Sequence, residues 1–234
     1  MYPVPENPKI SVVIPALNEE KLIGRTLKNV HNVVPEAEII VVDGGSNDKT
    51  VEIAKKYAKI CLTDGTIATA RNTGAEATVG DIIIFLDADT SINKKFVDEA
   101  TKAFKNPNIV GVGGMIMPNC TSALAEAVFY FFNFLIMVSS IFRRPVLAGT
   151  CVAYKRKPFF EVGGFNAKMV ASEDFDLCKK ISKKGKVVFL RNIIVRTSRR
   201  RLKKLGLIGL ISDWSRVTVQ FLLGKIPKEY RTFR

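Results

Sequence analysis

Apolar residues along this chain come in two rhythms. Short unbroken runs at 10–14 (ISVVI), 38–42 (EIIVV), 82–86 (IIIFL) and 109–117 (IVGVGGMIM) suit buried strands. Between them, residues 19–30 carry Leu22, Ile23, Leu27 and Val30 at helical spacing, VEIAKKYA reads as a helix, and 68–78 (ATARNTGAEAT) reads as a loop entering one. Strands alternating with helices predict an α/β fold whose central sheet is mostly parallel. Such sheets bind ligands beyond the carboxyl ends of their strands, beside a topological switch point. Asp43 and Asp87 fall at those ends.

The second half is patterned differently. Sixteen uncharged residues separate Glu126 from Arg143. A bilayer span takes about 20 residues, so this segment is short for one. Its Phe, Tyr and Leu content suits a helix on a membrane surface or facing an acceptor, with a buried core helix and a true span as alternatives. PFFEVGGFN (158–166) predicts a Gly-Gly turn flanked by aromatics. In SEDFDLCKKISKKG, Ser172 is the expected N-cap, and Phe175, Leu177, Cys178 and Ile181 give an apolar helix face. KVVFL is an expected strand, VRTSRRRLKK is strongly basic, and the tail from Leu205 reads as one or two apolar helices. The expected organisation is one domain over 1–196 followed by a basic amphipathic helical extension over 197–234.

Composition narrows the class. With 234 residues and 47% apolar side chains the chain can bury a real core. The N-terminus MYPVPENPK lacks the apolar run of a signal peptide. Cys61, Cys120, Cys151 and Cys178 form no CxxC pair, which argues against a disulfide framework or zinc site and for reduced thiols in the cytosol. His31 is the sole histidine and sits in a helical pattern, so a Ser-His-Asp triad or histidine metal site is a poor expectation. The net charge of +14 is lopsided: residues 1–150 hold 15 Lys and Arg against 16 Asp and Glu, whereas 151–234 hold 21 against 6. An anionic partner is expected for the last third: phosphates, nucleic acid or an acidic membrane.

Four motifs carry chemistry, each with a plainer alternative. In LDADT, Asp87 and Asp89 can hold a hard divalent cation, Mg²⁺ or Mn²⁺, shared with substrate phosphates; the alternative is a solvated strand-end turn. In VVDGGSNDKT, Asp43 can accept from a nucleobase or ribose, Gly44 and Gly45 allow a tight turn, and Asp48 and Thr50 can cap the next helix; a turn without ligand is the alternative. Arg71 of ARNTGAE is a fixed cation near a helix start, suited to phosphate or simply to the surface. In ASEDFD, Glu173, Asp174 and Asp176 either complement a helix dipole or supply a general base raised by crowding.

The order and spacing of VIPALNEE, VVDGGSNDKT, ARNTGAEA, FLDADT and GGF…SEDFDL resemble the family 2 glycosyltransferases, which have the GT-A fold: a Rossmann-like sheet flanked by helices. The resemblance covers about residues 10–190 and leans towards the branch acting on polyprenyl-phosphate or other lipid-linked acceptors. It implies that Pro15, Ala16, Asn18 and Glu19 line a nucleotide pocket and that Asp43 meets the base. Arg71 would lie near base or diphosphate, and Asp87 would contact ribose or metal. Asp89 would ligate Mg²⁺ or Mn²⁺ bridging the diphosphate. Asp174, beside Glu173, would be the base that deprotonates the acceptor, with inversion at the anomeric carbon. Residues 147–150 match the loop facing sugar and acceptor. DADTS places Ser91 where some dolichyl-phosphate mannose synthases have glutamine. The QxxRW motif of processive synthases is absent, and TSRRR stands near its place, where Arg199, Arg200 and Arg201 can clamp phosphates or face a membrane.

The implied partners are a UDP- or GDP-sugar, a lipid-phosphate or glycan acceptor, and the cytoplasmic face of a membrane, met peripherally, with no nucleic acid. Two competing readings remain. A nucleotidyltransferase also displays acids at strand ends but would release pyrophosphate. A nucleic-acid-binding protein would use the basic third but leave Asp43, Asp87 and Asp89 without purpose.

Overall fold

The computed structural model describes residues 1–120, 122–141 and 145–223. Its frame is one eight-stranded sheet. The first strands are β1 (Ile10–Ala16), β2 (Glu38–Asp43), β3 (Lys59–Leu62) and β4 (Ile82–Leu86). After them come the two-residue β5 (Thr90–Ser91), β6 (Ile109–Pro118), β7 (Cys151–Lys155) and β8 (Lys186–Thr197). Their order across the sheet is β3-β2-β1-β4-β7-β6-β8-β5. β1, β2, β3 and β4 run parallel, whereas β7 is antiparallel to both β4 and β6. The α/β fold expected from the sequence is therefore present as a mixed sheet.

The register of β1 on β2 pairs Ala16 with Asp43, so both strands end at the same level. β1 against β4 pairs Val13 with Phe85, which brings Asp87 to that same edge. β1 and β4 are buried on both faces, which is why they read as unbroken apolar runs rather than alternations.

The crossover helices follow their apolar stripes. α1 (Ile23–Val33) buries Ile23, Thr26, Leu27 and Val30; it starts later than the spacing suggests because Asn18–Glu20 are held by a neighbouring loop. α2 is short (Thr50–Ala54). α3 (Ile67–Glu76) begins on a real cap, the Thr66 hydroxyl accepting from Thr69 N at 3.2 Å. Most of the expected loop at 68–78 is thus helix. It lies close on the sheet: a Cβ on Gly74 would stand 2.3 Å from Val13 Cγ1 and 2.8 Å from Val42 Cγ2. α4 (Lys94–Phe104) is capped by Asn93 and buries Phe96 and Phe104.

α5 (Ala123–Ile141) packs on β6 through one polar contact. Asn133 Oδ1 accepts from Ile116 N at 3.0 Å and its Nδ2 donates to Ile116 O at 2.8 Å. This amide completes the backbone of β6 beyond the reach of β7, which pairs only with Gly111–Gly113. The other face of α5 exposes Leu124, Tyr130, Phe131, Phe134 and Leu135. The helix is therefore partly core and partly surface, and among the described residues no helix is long and apolar enough to cross a membrane.

α6 (Arg156–Glu161) leads into the Gly163–Gly164 turn, and both glycines have positive φ as that turn requires. α7 (Glu173–Ile181) follows. Ser172 occupies its N-cap position but makes no side-chain cap; with φ 61° it is left-handed and its Oγ is buried without a partner among the described residues. The cap expected from sequence is thus absent, because the hydroxyl does not reach the helix N–H groups from that conformation. β8 outruns the KVVFL segment and carries the chain into α8 (Arg200–Leu222). α8 breaks at Gly206, whose φ of 67° and ψ of 177° are not helical. Trp214 of α8 packs edge-on against Phe129 and Phe132 of α5, at centroid distances of 5.1 and 4.4 Å.

Candidate active site

One large cleft of about 1780 Å³ opens along the carboxyl edge of β1 and β4. Its floor carries Pro15, Ala16, Glu19, Arg71, Asp87, Asp89, Glu173, Asp174 and Arg200. Residues as far apart in sequence as Glu19 and Arg200, 181 positions, are drawn together because the parallel strands end at one level and α7 and the start of α8 lie beside them.

Arg71, on α3, is the hub. It is 2% exposed, yet its Nη1 donates to Glu173 Oε1 at 2.5 Å and its Nη2 to Asp87 Oδ1 and Gly149 O, both at 2.9 Å. Its guanidinium lies over the Phe165 ring at 5.3 Å. Burial works to discharge it, but Asp87, Glu173 and Asp174 outweigh burial and raise its pKa.

Three carboxylates around one guanidinium leave negative charge in excess. Burial pushes Asp87 up to about 6, against the pull of Arg71 and with help from Asp89. Burial, then Glu173, pushes Asp174 up to about 7, although Gly149 N donates to its Oδ2 at 2.7 Å. Glu173 itself is buried on Arg71 and presents little surface to a substrate. Asp174 is the more open of the two acids.

Asp89 is held from the far end of the chain. Ser198 Oγ donates to its Oδ2 at 2.5 Å, Ser198 N to its carbonyl at 3.1 Å, and Arg200 approaches Oδ2 at 3.4 Å. Arg200 also grips Glu19 with two parallel bonds of 2.7 Å, the geometry in which arginine binds carboxylates best. Thus the start of α8 is pinned across the ends of β1 and β4.

Other residues singled out in the sequence sit elsewhere. The Asp43 carboxylate is buried and accepts from Gly45 N, Ser46 N and the Ser46 hydroxyl, so it shapes its own turn. Asn18, at φ 54°, exchanges hydrogen bonds with Ser46 and Asn47 and knits that turn to the end of β1. Arg199 is exposed and does not line the cleft, unlike Arg200 beside it. Arg201 pairs with buried Asp213, which also takes Arg216. The sequence reading missed Ser198 and Thr197 as holders of Asp89, and Asn133 and Trp214 as cleft walls. No local motif marks them; their roles come from strands and helices far away in the chain.

A divalent cation is a testable fit. Among the described residues no three His, Cys, Asp or Glu side chains form a metal cluster. Asp87 and Asp89 would supply oxygen ligands from one edge, with Asp87 Oδ2 lying outside the Arg71 contact. Two carboxylates with remaining positions left to phosphate oxygens are a donor set that suits Mg²⁺ or Mn²⁺. The surplus negative charge on the floor points the same way.

The rear of the cleft is apolar. Phe129, Phe132, Leu135 and Ile136 of α5 and Trp214, Val217 and Phe221 of α8 line it together. Asp174 lines the same cleft.

Known proteins resemble this chain in sequence and in fold. The family model described as Glycosyl transferase family 2 matches residues 11–163. The glycosyltransferase AglE of Haloferax volcanii is 30% identical over 203 residues, covering 80% of this chain and 66% of its own length. A dolichyl N-acetyl-α-D-glucosaminyl phosphate 3-β-D-2,3-diacetamido-2,3-dideoxy-β-D-glucuronosyltransferase of Methanococcus voltae is 27% identical over 186 residues, covering 70% of this chain and 55% of its own. Other relatives are matched over as little as 22% of their length, so the chain spans only part of the proteins it resembles. Among solved structures, the mannosyltransferase PcManGT of Pyrobaculum calidifontis, in complex with GDP-Man and Mn²⁺, superposes with a TM-score of 0.65 at 21% identity, over 92% of this chain and 66% of that one. Glucosyl-3-phosphoglycerate synthase of Mycobacterium tuberculosis, with Mn²⁺, UDP and its product, gives 0.66 at 22% identity over 94% and 80%. These likenesses carry the GT-A fold, and with the family match extending over well more than half of the sequence, the chain belongs to glycosyl transferase family 2.

Proposed function

We propose that the chain is the catalytic part of an inverting, divalent-metal-dependent glycosyltransferase that moves one sugar from a UDP- or GDP-sugar to a lipid-linked acceptor at a membrane surface. One observation carries it: Asp87 and Asp89 share a cleft with Asp174, and Arg71 lies between the two acidic groups.

The roles follow from chemistry. Pro15, Ala16 and Glu19 line the cleft and would border the donor nucleotide. Asp87 and Asp89 would hold Mg²⁺ or Mn²⁺, which when bound offsets charge on the departing diphosphate. Asp174 would take the proton from the acceptor hydroxyl. The acceptor oxygen then bonds to the anomeric carbon from the face opposite the phosphate. The bond from that carbon to the phosphate oxygen breaks, and its electron pair leaves on the nucleoside diphosphate. A single displacement inverts the centre. An acceptor that is already a phosphate anion has no proton to lose, and Asp174 would then only orient it.

The apolar wall of α5 and α8 supports an acceptor with a hydrocarbon part. The exposed aromatic face of α5 and the basic run 196–204 support peripheral attachment to anionic lipid, with the segment from residue 197 acting as a helical extension. The Methanococcus voltae relative is named for a dolichyl-phosphate-linked acceptor, and the two structural neighbours for complexes with Mn²⁺.

Calorimetric titration of UDP, GDP and their sugar conjugates, with Mn²⁺ and with EDTA, on the wild type and Asp89→Ala tests the donor half. The expected result is metal-dependent binding of one nucleotide that the substitution abolishes. Binding unaffected by EDTA and by the substitution would sink the metal assignment. For the membrane half, the protein should co-sediment with vesicles containing phosphatidylserine and be released by salt. Equal binding to neutral vesicles at high salt would refute the electrostatic part.

A further inference from the structure

We propose that Arg71 is a positioning residue that never touches the substrate: it locks the donor-side aspartate Asp87 and the acceptor-side acid Asp174 into one rigid unit. The proposal rests on the glycosyltransferase reading for its meaning, but not for its geometry.

Three observations carry it. Arg71 is 2% exposed, so its guanidinium offers almost no face to a phosphate or base. It has two routes to Asp174. One runs through Glu173, the neighbour of Asp174 on α7, at 2.5 Å. The other runs through the Gly149 peptide, whose carbonyl accepts from Nη2 at 2.9 Å while its N–H donates to Asp174 Oδ2 at 2.7 Å. The same Nη2 holds Asp87 at 2.9 Å. Finally, the guanidinium is clamped. Phe165 stacks on it, Nε is buried without a partner among the described residues, and a Cβ on Gly149 would stand 3.0 Å from both Nη atoms. A planar fork with several fixed donors suits such a bridge; a lysine point charge does not.

Asp174 also gives a direct readout. The titratable and charged groups facing it are Glu173 and Cys178 of its own helix, Arg71 from α3 and Tyr154 from β7. Arg71 is the cation among them and lowers the Asp174 pKa. Removing it must move the Asp174 midpoint up, which loss of a remote phosphate contact would not do.

The experiment uses Arg71→Met, Arg71→Lys and Gly149→Ala in the full chain. Nucleotide affinity is measured by calorimetry with UDP and GDP in Mn²⁺. Turnover is measured as nucleoside diphosphate released from UDP-glucose or GDP-mannose with water as acceptor. The Asp174 midpoint is read from its side-chain carboxyl ¹³C signal. Arg71→Met should leave nucleotide affinity within about fivefold and cut turnover by about 10²-fold, the scale expected from misplaced reacting groups. Its Asp174 midpoint should rise, and Arg71→Lys should bring the midpoint back without restoring turnover. Gly149→Ala, which keeps every charge but crowds the guanidinium, should lower turnover alone and covers the case in which the Met variant fails to fold. Loss of nucleotide affinity with unchanged turnover at saturation would overturn the proposal and make Arg71 a donor ligand. An Asp174 midpoint unmoved by Arg71→Met would overturn it too, even if no nucleotide bound and the glycosyltransferase reading itself failed.

Discussion

The raised pKa of Asp174 sets a pH dependence that can be worked out in advance. With the carboxyl at about 7, roughly a tenth is ionised at pH 6, half at pH 7 and nine-tenths at pH 8. If the ionised form is the base, turnover at fixed saturating donor rises about tenfold from pH 6 to pH 8, whereas an ordinary aspartate would give a flat profile. Asp174→Asn should lower the rate by about 10²–10⁴-fold, the usual worth of a general base, and flatten what remains. Stability moves the other way. The folded carboxyl keeps a proton that the unfolded chain releases near pH 4, so its stabilisation is complete below about pH 4 and is lost as pH rises through about 7. Melting curves should therefore show Asp174→Asn gaining on the wild type between pH 5 and pH 8. Initial-rate measurements of nucleoside diphosphate release give the first profile. A wild-type rate constant from pH 5 to 8 would refute the raised pKa. Full activity in Asp174→Asn would refute the base and favour an acceptor that is already anionic.

Two further predictions concern how helices pack on the sheet. Asn133→Leu keeps the volume but strands Ile116 N–H and C=O, each a buried group worth about 1–3 kcal/mol when unpaired; chemical denaturation should show the loss, and an unchanged midpoint would mean that α5 does not dock on β6 through this amide. Gly74→Val should destabilise by about 1–3 kcal/mol or more, because even its Cβ would collide with Val13 and Val42; wild-type stability in that variant would contradict the close packing of α3 on β1 and β2.

The elements that position the donor end were legible in the sequence because each is governed by local rules. β1, β2 and β4 are buried on both faces, so they appear as unbroken apolar runs, and the acids that follow them must lie at the strand ends. Asp87, Asp89, Glu173 and Asp174 could be named from spacing, and all four line the cleft. Less was readable where a segment is short, as in β7, or rich in charged residues, as in α4. β7 and α4 were not anticipated, and β8 runs well past its apolar segment into the basic one.

What a residue does, as opposed to what it is, waited on tertiary structure. Arg71 reads as a phosphate ligand in isolation; only the approach of α7 and the Gly149 loop makes it a buried bridge. Arg199 and Arg200 are indistinguishable in a run of three arginines, yet the turn from β8 into α8 leaves one exposed and seats the other on Glu19 and Asp89. That the Asp43 carboxylate holds its own turn through Gly45 and Ser46 likewise shows only in the fold. The chain by itself determined strands, helix faces and the supply of acids. The fold decided which charges meet, because an ion pair depends on angstrom-scale proximity, and residues as far apart as Glu19 and Arg200 acquire it only once the sheet is assembled.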